Sequence, residues 1–136
     1  MRVLLDTNIL VSALLVQTGH PAAVYRAWED GEFTLLTCAE QLDELRTTLR
    51  KPRIAERIKP YQGGRLVNEI KEFAEKVGAL PRVRRSPDPT DDFLLALSEA
   101  GRADYLVTGD KSGLLALSRH HATRIISVRV FAEILA

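Results

Sequence analysis

Residues 1–13 read MRVLLDTNILVSA. The apolar run Val3, Leu4, Leu5 stops at Asp6, Thr7 and Asn8, and a second apolar segment begins at Ile9. That break predicts a short buried strand that delivers a carboxylate at its C-terminal end and passes directly into a helix. In a parallel α/β sheet the carboxyl ends of the strands border the ligand crevice, so Asp6 is placed for chemistry. Asp, Thr and Asn are also favoured helix N-caps, and capping alone would account for Asp6 or Thr7. The two readings part on whether other carboxylates reach the same edge.

A second stretch repeats the pattern. Tyr105, Leu106 and Val107 read as a buried strand that ends in Thr108, Gly109 and Asp110, again a hydroxyl and a carboxylate after an apolar run. Between the two lie helical periods from Ile9 to Val16, from Ala22 to Trp28, and over residues 39–49, where Leu42, Leu45 and Leu49 share a stripe. Asp30-Gly31 stops the second of these. Residues 33–37 predict a strand, residues 65–76 an amphipathic helix, and Ala79-Leu80 a short strand before Pro81. Gly63-Gly64 reads as a turn. Residues 86–92, SPDPTDD, form a loop into a helix over residues 93–100. A short helix at 114–117, a strand at 124–128 and a terminal helix at 130–135 complete the chain. Strands separated by helices indicate βαβ units. The expected fold is a three-layer α/β/α sandwich with a four- or five-stranded parallel sheet.

The chain has 136 residues, of which 46% are hydrophobic, and fits one domain over residues 1–136. With 19 basic and 18 acidic residues the net charge is +1, so nucleic-acid contact has to come from local patches. A single cysteine, Cys38, excludes an internal disulfide framework and suits a small buried side chain. Neither a signal peptide nor a membrane span is expected, which points to the cytoplasm.

The candidate constellation is Asp6, Glu44 on the helix after the second strand, Asp92 at a helix start, and Asp110. Four carboxylates in one crevice repel each other unless a cation lies between them. Mg²⁺ or Mn²⁺ fits, because hard divalent ions take oxygen ligands and keep several waters. No H-E-x-x-H pattern or cysteine pair frames His20, His120 or His121, and no role is assigned to them. A nucleophile elbow and a glycine-rich phosphate loop are also missing.

DTNILVSA at residues 6–13, Glu44, DPTDDFLLALS at 88–98 and ADYLVTGDKSGLL at 103–115 together resemble the PIN domain. The likeness is to the PIN proteins of bacterial and archaeal toxin-antitoxin systems, the VapC-like ribonucleases, and it spans almost the whole chain in order. It implies a metal-dependent endoribonuclease acting on single-stranded RNA, with Asp6, Glu44, Asp92 and Asp110 as the acidic quartet. Thr7, Asn8 and Thr108 match the polar positions that orient the acids. Asp92 takes the third place because it directly precedes the apolar helical run, leaving Asp91 and Asp88 as flanking or capping groups. Lys111 would neutralise a carboxylate, approach a phosphate, or stand solvated. The resemblance also implies a cognate antitoxin and a homodimer or higher homo-oligomer.

Two basic clusters flank these motifs: Lys51, Arg53, Arg57 and Lys59, and Arg82, Arg84 and Arg85. They either guide an RNA backbone past the acids or are ordinary solvated charges. Tyr61 is a lone candidate for base stacking, and Tyr25 and Trp28 read as core or interface. Competing classes are a non-catalytic RNA- or protein-binding module and an aspartate-dependent phosphatase. The phosphatase class needs a second Asp two residues after the first, where Asn8 stands.

Overall fold

The structure, a computed structural model, describes residues 1–110 and 112–136. Strand β1 (Arg2–Leu5) runs through Asp6, the N-cap, into helix α1 (Thr7–Leu15). Helix α2 (His20–Glu29) carries Pro21 in its first turn and ends before Gly31, whose φ of +78° suits a residue without a Cβ. There follow β2 (Thr34–Thr37), α3 (Ala39–Leu49), α4 (Pro52–Ala55), α5 (Pro60–Phe73) and β3 (Glu75–Lys76). A 3₁₀ turn at Pro89–Asp91 leads into α6 (Asp92–Ala100), then β4 (Tyr105–Val107) and α7 (Leu114–Leu117). The chain closes with β5 (Arg119–His120), β6 (Thr123–Ile126) and α8 (Val128–Leu135).

The strands form one sheet in the order β3-β2-β1-β4-β6-β5. The pairings from β3 through β6 are parallel, and β5 joins β6 antiparallel. Five parallel strands meet the expectation, and the antiparallel edge strand adds a sixth. Side chains on successive strand residues face opposite ways. Val3, Leu5, Leu35 and Val107 accordingly pack with α1, α2, α3 and α5, while Leu4, Leu36, Leu106 and Ile125 pack with α6 and α7. The two separate cores are the two faces of the sandwich. Full burial of each such leucine contributes about 1.5–3 kcal/mol.

Three local expectations differ from the structure. Gly63-Gly64 lies inside α5 and makes no turn. A Cβ at Gly63 would stand 3.6 Å from the side chains of Leu49 and Ile58, an ordinary contact, so space does not demand the glycine; burial of Leu66, Val67 and Ile70 carries the helix through both glycines despite their low propensity. The helix expected over 65–76 ends at Phe73, and the edge strand is Glu75–Lys76 instead of Ala79-Leu80, because Val77 N–H still bonds to the Thr37 carbonyl at 2.8 Å. Among the described residues no helix is long and apolar enough to cross a membrane.

Candidate active site

The register of the central strands builds the site. Leu5 of β1 pairs with Val107 of β4, so Asp6 and Thr108 leave the sheet side by side. Asp6 N–H bonds to the Val107 carbonyl at 2.9 Å, and Thr108 N–H to the Ile126 carbonyl at 3.0 Å, which extends the ladder by one residue on each strand. Both residues are buried.

The Thr108 hydroxyl ties the two strand-end acids together. It donates to Asp6 Oδ2 at 2.7 Å and accepts from the Asp110 amide at 3.2 Å, using its donor and an acceptor position. Asp110 curls back so that Oδ1 accepts from Gly113 N–H at 3.1 Å. Gly113 has to be small: a Cβ there would fall 1.8 Å from Asp110 Oδ2.

A buried amide fixes the helix that carries Glu44. Gln41 Nε2 donates to the Leu5 carbonyl at 2.7 Å, and Gln41 Oε1 accepts from the Thr37 hydroxyl at 2.8 Å. One side chain thereby joins the ends of β1 and β2 to the first turn of α3. Glu44 follows three residues later, on the same side of the helix. Sequence reading passed over Gln41, since a polar residue on a helix gives no sign of burial until the sheet is assembled.

Burial, the first cause, pushes the Asp6 carboxyl above its ordinary range; the Thr108 hydrogen bond opposes the shift and the Asp110 charge adds to it. Asp91, the last residue of the 3₁₀ turn, is pushed up to about 6. Burial leads there too, followed by the negative charges of Asp6, Asp88, Asp110 and Glu44. The structure therefore brings Asp91 into the field of Asp6, Asp110 and Glu44. Asp92 turns its Oδ1 to the backbone N–H groups of Arg85 (3.1 Å) and Ser86 (2.7 Å) and lines a cleft with Arg82, Arg84 and Arg85. Asp88 accepts from the Thr90 amide and hydroxyl and caps the turn.

The donor set is all oxygen, which suits a hard divalent cation. Two features fit one: two carboxyls held above their ordinary range, and a third and fourth acid whose charges add to that. No three of these carboxylates bring ligand atoms within 4.8 Å of one another; among the described residues only Glu99, His120 and His121 do so.

Asn8 is exposed at the start of α1, and its amide makes a long 3.4 Å contact with Asp6 Oδ1. Lys111 lies outside the described residues. Lys51, Arg53, Arg57 and Lys59 are exposed on and around α4, past the C-terminus of α3. Tyr61 is exposed, whereas Trp28 is buried and meets Tyr25 edge to face at 5.3 Å. Cys38 is fully buried at the start of α3, and burial pushes its thiol up to about 11, which removes it as a nucleophile near neutral pH.

The family model described as PIN domain matches residues 2–112. In fold, the chain is similar to a chain in the crystal structure of VapBC2 from Rickettsia felis bound to a DNA fragment from their promoter. The TM-score is 0.58 at 18% identity, with 93% of this chain and 98% of that chain covered. Comparison with curated proteins returns no match.

Proposed function

Because the chain belongs to the PIN domain family, we propose that it is a metal-dependent endoribonuclease that hydrolyses phosphodiester bonds in single-stranded RNA. What supports this reading is that Asp6 follows β1 beside the end of β4, where Thr108 links it to the Asp110 backbone, and that the charges of Asp6, Asp110 and Glu44 help hold Asp91 above the ordinary carboxylate range. Asp6, Asp91 and Asp110 would hold the cation directly or through water, with Glu44 supporting it from α3. Asp92, the acid expected from the sequence pattern, gives its Oδ1 to the 85–86 backbone amides beside that turn, which is the ground on which Asp91 is proposed for the third place.

A bound Mg²⁺ or Mn²⁺ supplies a water made acidic enough to yield hydroxide near neutral pH, and positive charge beside the phosphate. The chain's own residues do the positioning. Thr108 holds Asp6 and the Asp110 backbone in one frame, Gly113 cradles the Asp110 carboxylate, and Gln41 sets α3, with Glu44, against the end of β1. Ionised acids repel a phosphate backbone, so the substrate needs basic contacts. Arg82 and Arg84, exposed on the loop that runs into the acid-bearing turn, are proposed to supply them, together with Lys51, Arg53, Arg57 and Lys59.

The proposal extends to biological context: a toxin controlled by a cognate antitoxin and assembled at least as a dimer. The VapBC2 complex supports that extension by its fold alone. The enzymatic proposal is tested by cleavage of end-labelled single-stranded RNA and DNA of the same sequence with Mg²⁺, Mn²⁺ or EDTA, using wild type and Asp6→Asn. Metal-requiring cleavage of RNA that disappears in the variant is expected. RNA binding without cleavage in either protein, whichever metal is present, would favour a binding module.

A further inference from the structure

At the opposite end of α6 from Asp91, three side chains converge that play no part in the acidic site. Glu99 Oε2 lies 2.8 Å from His120 Nε2, and Glu99 Oε1 lies 3.2 Å from His121 Nε2. One ligand atom from each residue lies within 4.8 Å of the other two. His120 is buried, Glu99 is half-buried, and the His121 side chain is 66% exposed, so the cluster is closed on the protein side and open to water on the other. The α6 axis separates it from Asp92 by about 10 Å, seven residues at the rise of a helix.

The backbone holds this arrangement against its usual tendency. Consecutive residues of an extended strand point their side chains to opposite faces. His121 leaves β5 with φ +51°, a left-handed conformation uncommon in residues with a Cβ and here set by the tight β5–β6 hairpin. That turn breaks the alternation and lets both imidazoles face one carboxylate, with ring centroids 4.6 Å apart at 63°.

We propose that Glu99, His120 and His121 form a second metal site, for a borderline transition ion of the Zn²⁺ class, that clamps the β5–β6 hairpin to the end of α6. Two imidazoles and one carboxylate with an open water-facing side form a ligand set that such ions take in preference to Mg²⁺. At zinc-to-ligand distances of about 2.1 Å, tetrahedral ligand atoms stand roughly 3.4 Å apart. The nitrogen-to-oxygen distances of 2.8 and 3.2 Å, made to the two oxygens of the one carboxylate, need to open by about 0.6 and 0.2 Å to match that spacing. Without an ion, Arg85 Nη1 donates to His120 Nδ1 at 2.8 Å and leaves the ring proton on Nε2, facing Glu99. When an ion takes Nε2 the proton resides on Nδ1, so Arg85 Nη1 must give up this contact and draw back from the ring, keeping its other acceptor, the Arg119 carbonyl at 2.8 Å.

The test is calorimetric titration of ZnCl₂ into wild-type protein in excess Mg²⁺, into His121→Ala under the same conditions, and into an Asp6→Asn/Asp110→Asn variant. His121 is exposed, so its replacement leaves the core intact. The proposal expects one zinc equivalent that Mg²⁺ does not displace, that survives loss of the two acids, and that weakens by roughly tenfold or more in His121→Ala. Zinc binding of equal strength in wild type and His121→Ala, or absence of the Mg²⁺-resistant equivalent in wild type, overturns it.

Discussion

Asp91 and Asp92 are adjacent, chemically identical and predicted to act on stability in opposite directions. Asp91 takes up its proton at about 6 in the folded protein, against an ordinary value of 3.8. At about 1.4 kcal/mol per tenfold in proton affinity, that gap corresponds to about 3 kcal/mol. The carboxyl is partly open to solvent, and screening reduces the figure to about 1.5 kcal/mol. Because the folded state binds this proton more tightly than the unfolded chain, its contribution is fully present below about pH 3.8 and is lost as the pH rises through 6. In EDTA, Asp91→Asn should therefore be more stable than wild type at pH 7.5 by about 1.5 kcal/mol, about 5 °C in Tm for a chain of this size. The gain should vanish near pH 4. Asp92→Ala removes the acceptor of two backbone amides, at 3.1 and 2.7 Å, and should cost about 2 kcal/mol at pH 7.5. Urea denaturation followed by circular dichroism at pH 4, 5.5 and 7.5 measures all three proteins. An Asp91→Asn variant no more stable than wild type at pH 7.5, or a gain that persists unchanged to pH 4, would refute the placement of Asp91 among the acids.

Three further substitutions probe the frame around the cation. Gly113→Ala drives a methyl into Asp110 Oδ2 but into no backbone, so the Tm should hold within about 2 °C while metal-dependent cleavage falls at least tenfold, as thermal melts and RNA cleavage would show. Thr108→Val deletes the 2.7 Å bond to Asp6, raises that carboxyl further, and should move the acid limb of the cleavage profile up by about one pH unit. Gln41→Leu leaves the Leu5 carbonyl and Thr37 hydroxyl buried without this partner; a loss of about 1–3 kcal/mol is expected in urea denaturation, with kcat reduced more than RNA affinity.

Much of the fold was legible because β1 and β4 announce themselves in the same way, an apolar run cut off by a hydroxyl and a carboxylate. Helix α3 at Ala39–Leu49 and α7 at Leu114–Leu117 follow from the apolar period alone. The edge strands were not legible: Glu75–Lys76 and Arg119–His120 are two residues each, too short to show an alternation, and exist only because a neighbouring strand offers free backbone groups. At the candidate site, Asp6 and Asp110 were evident from position. The choice within DPTDD was harder to read, because the 3₁₀ turn at Pro89–Asp91 alters the rotation per residue just before α6, so the helical period that points to Asp92 does not extend back to Asp91. Glu99, 21 residues before His120, joins the two histidines only through the packing of α6 against β5.

Asp91, with Asp6, Asp110 and Glu44, is proposed as the centre that cleaves RNA. The most direct measurement compares single-stranded RNA cleavage rates of wild type, Asp91→Asn and Asp92→Asn at saturating Mn²⁺. Asp91→Asn should lose on the order of 100-fold, whereas Asp92→Asn keeps an amide oxygen for the 85–86 backbone and should stay within about threefold of wild type. Full activity in Asp91→Asn with collapse in Asp92→Asn would contradict the account.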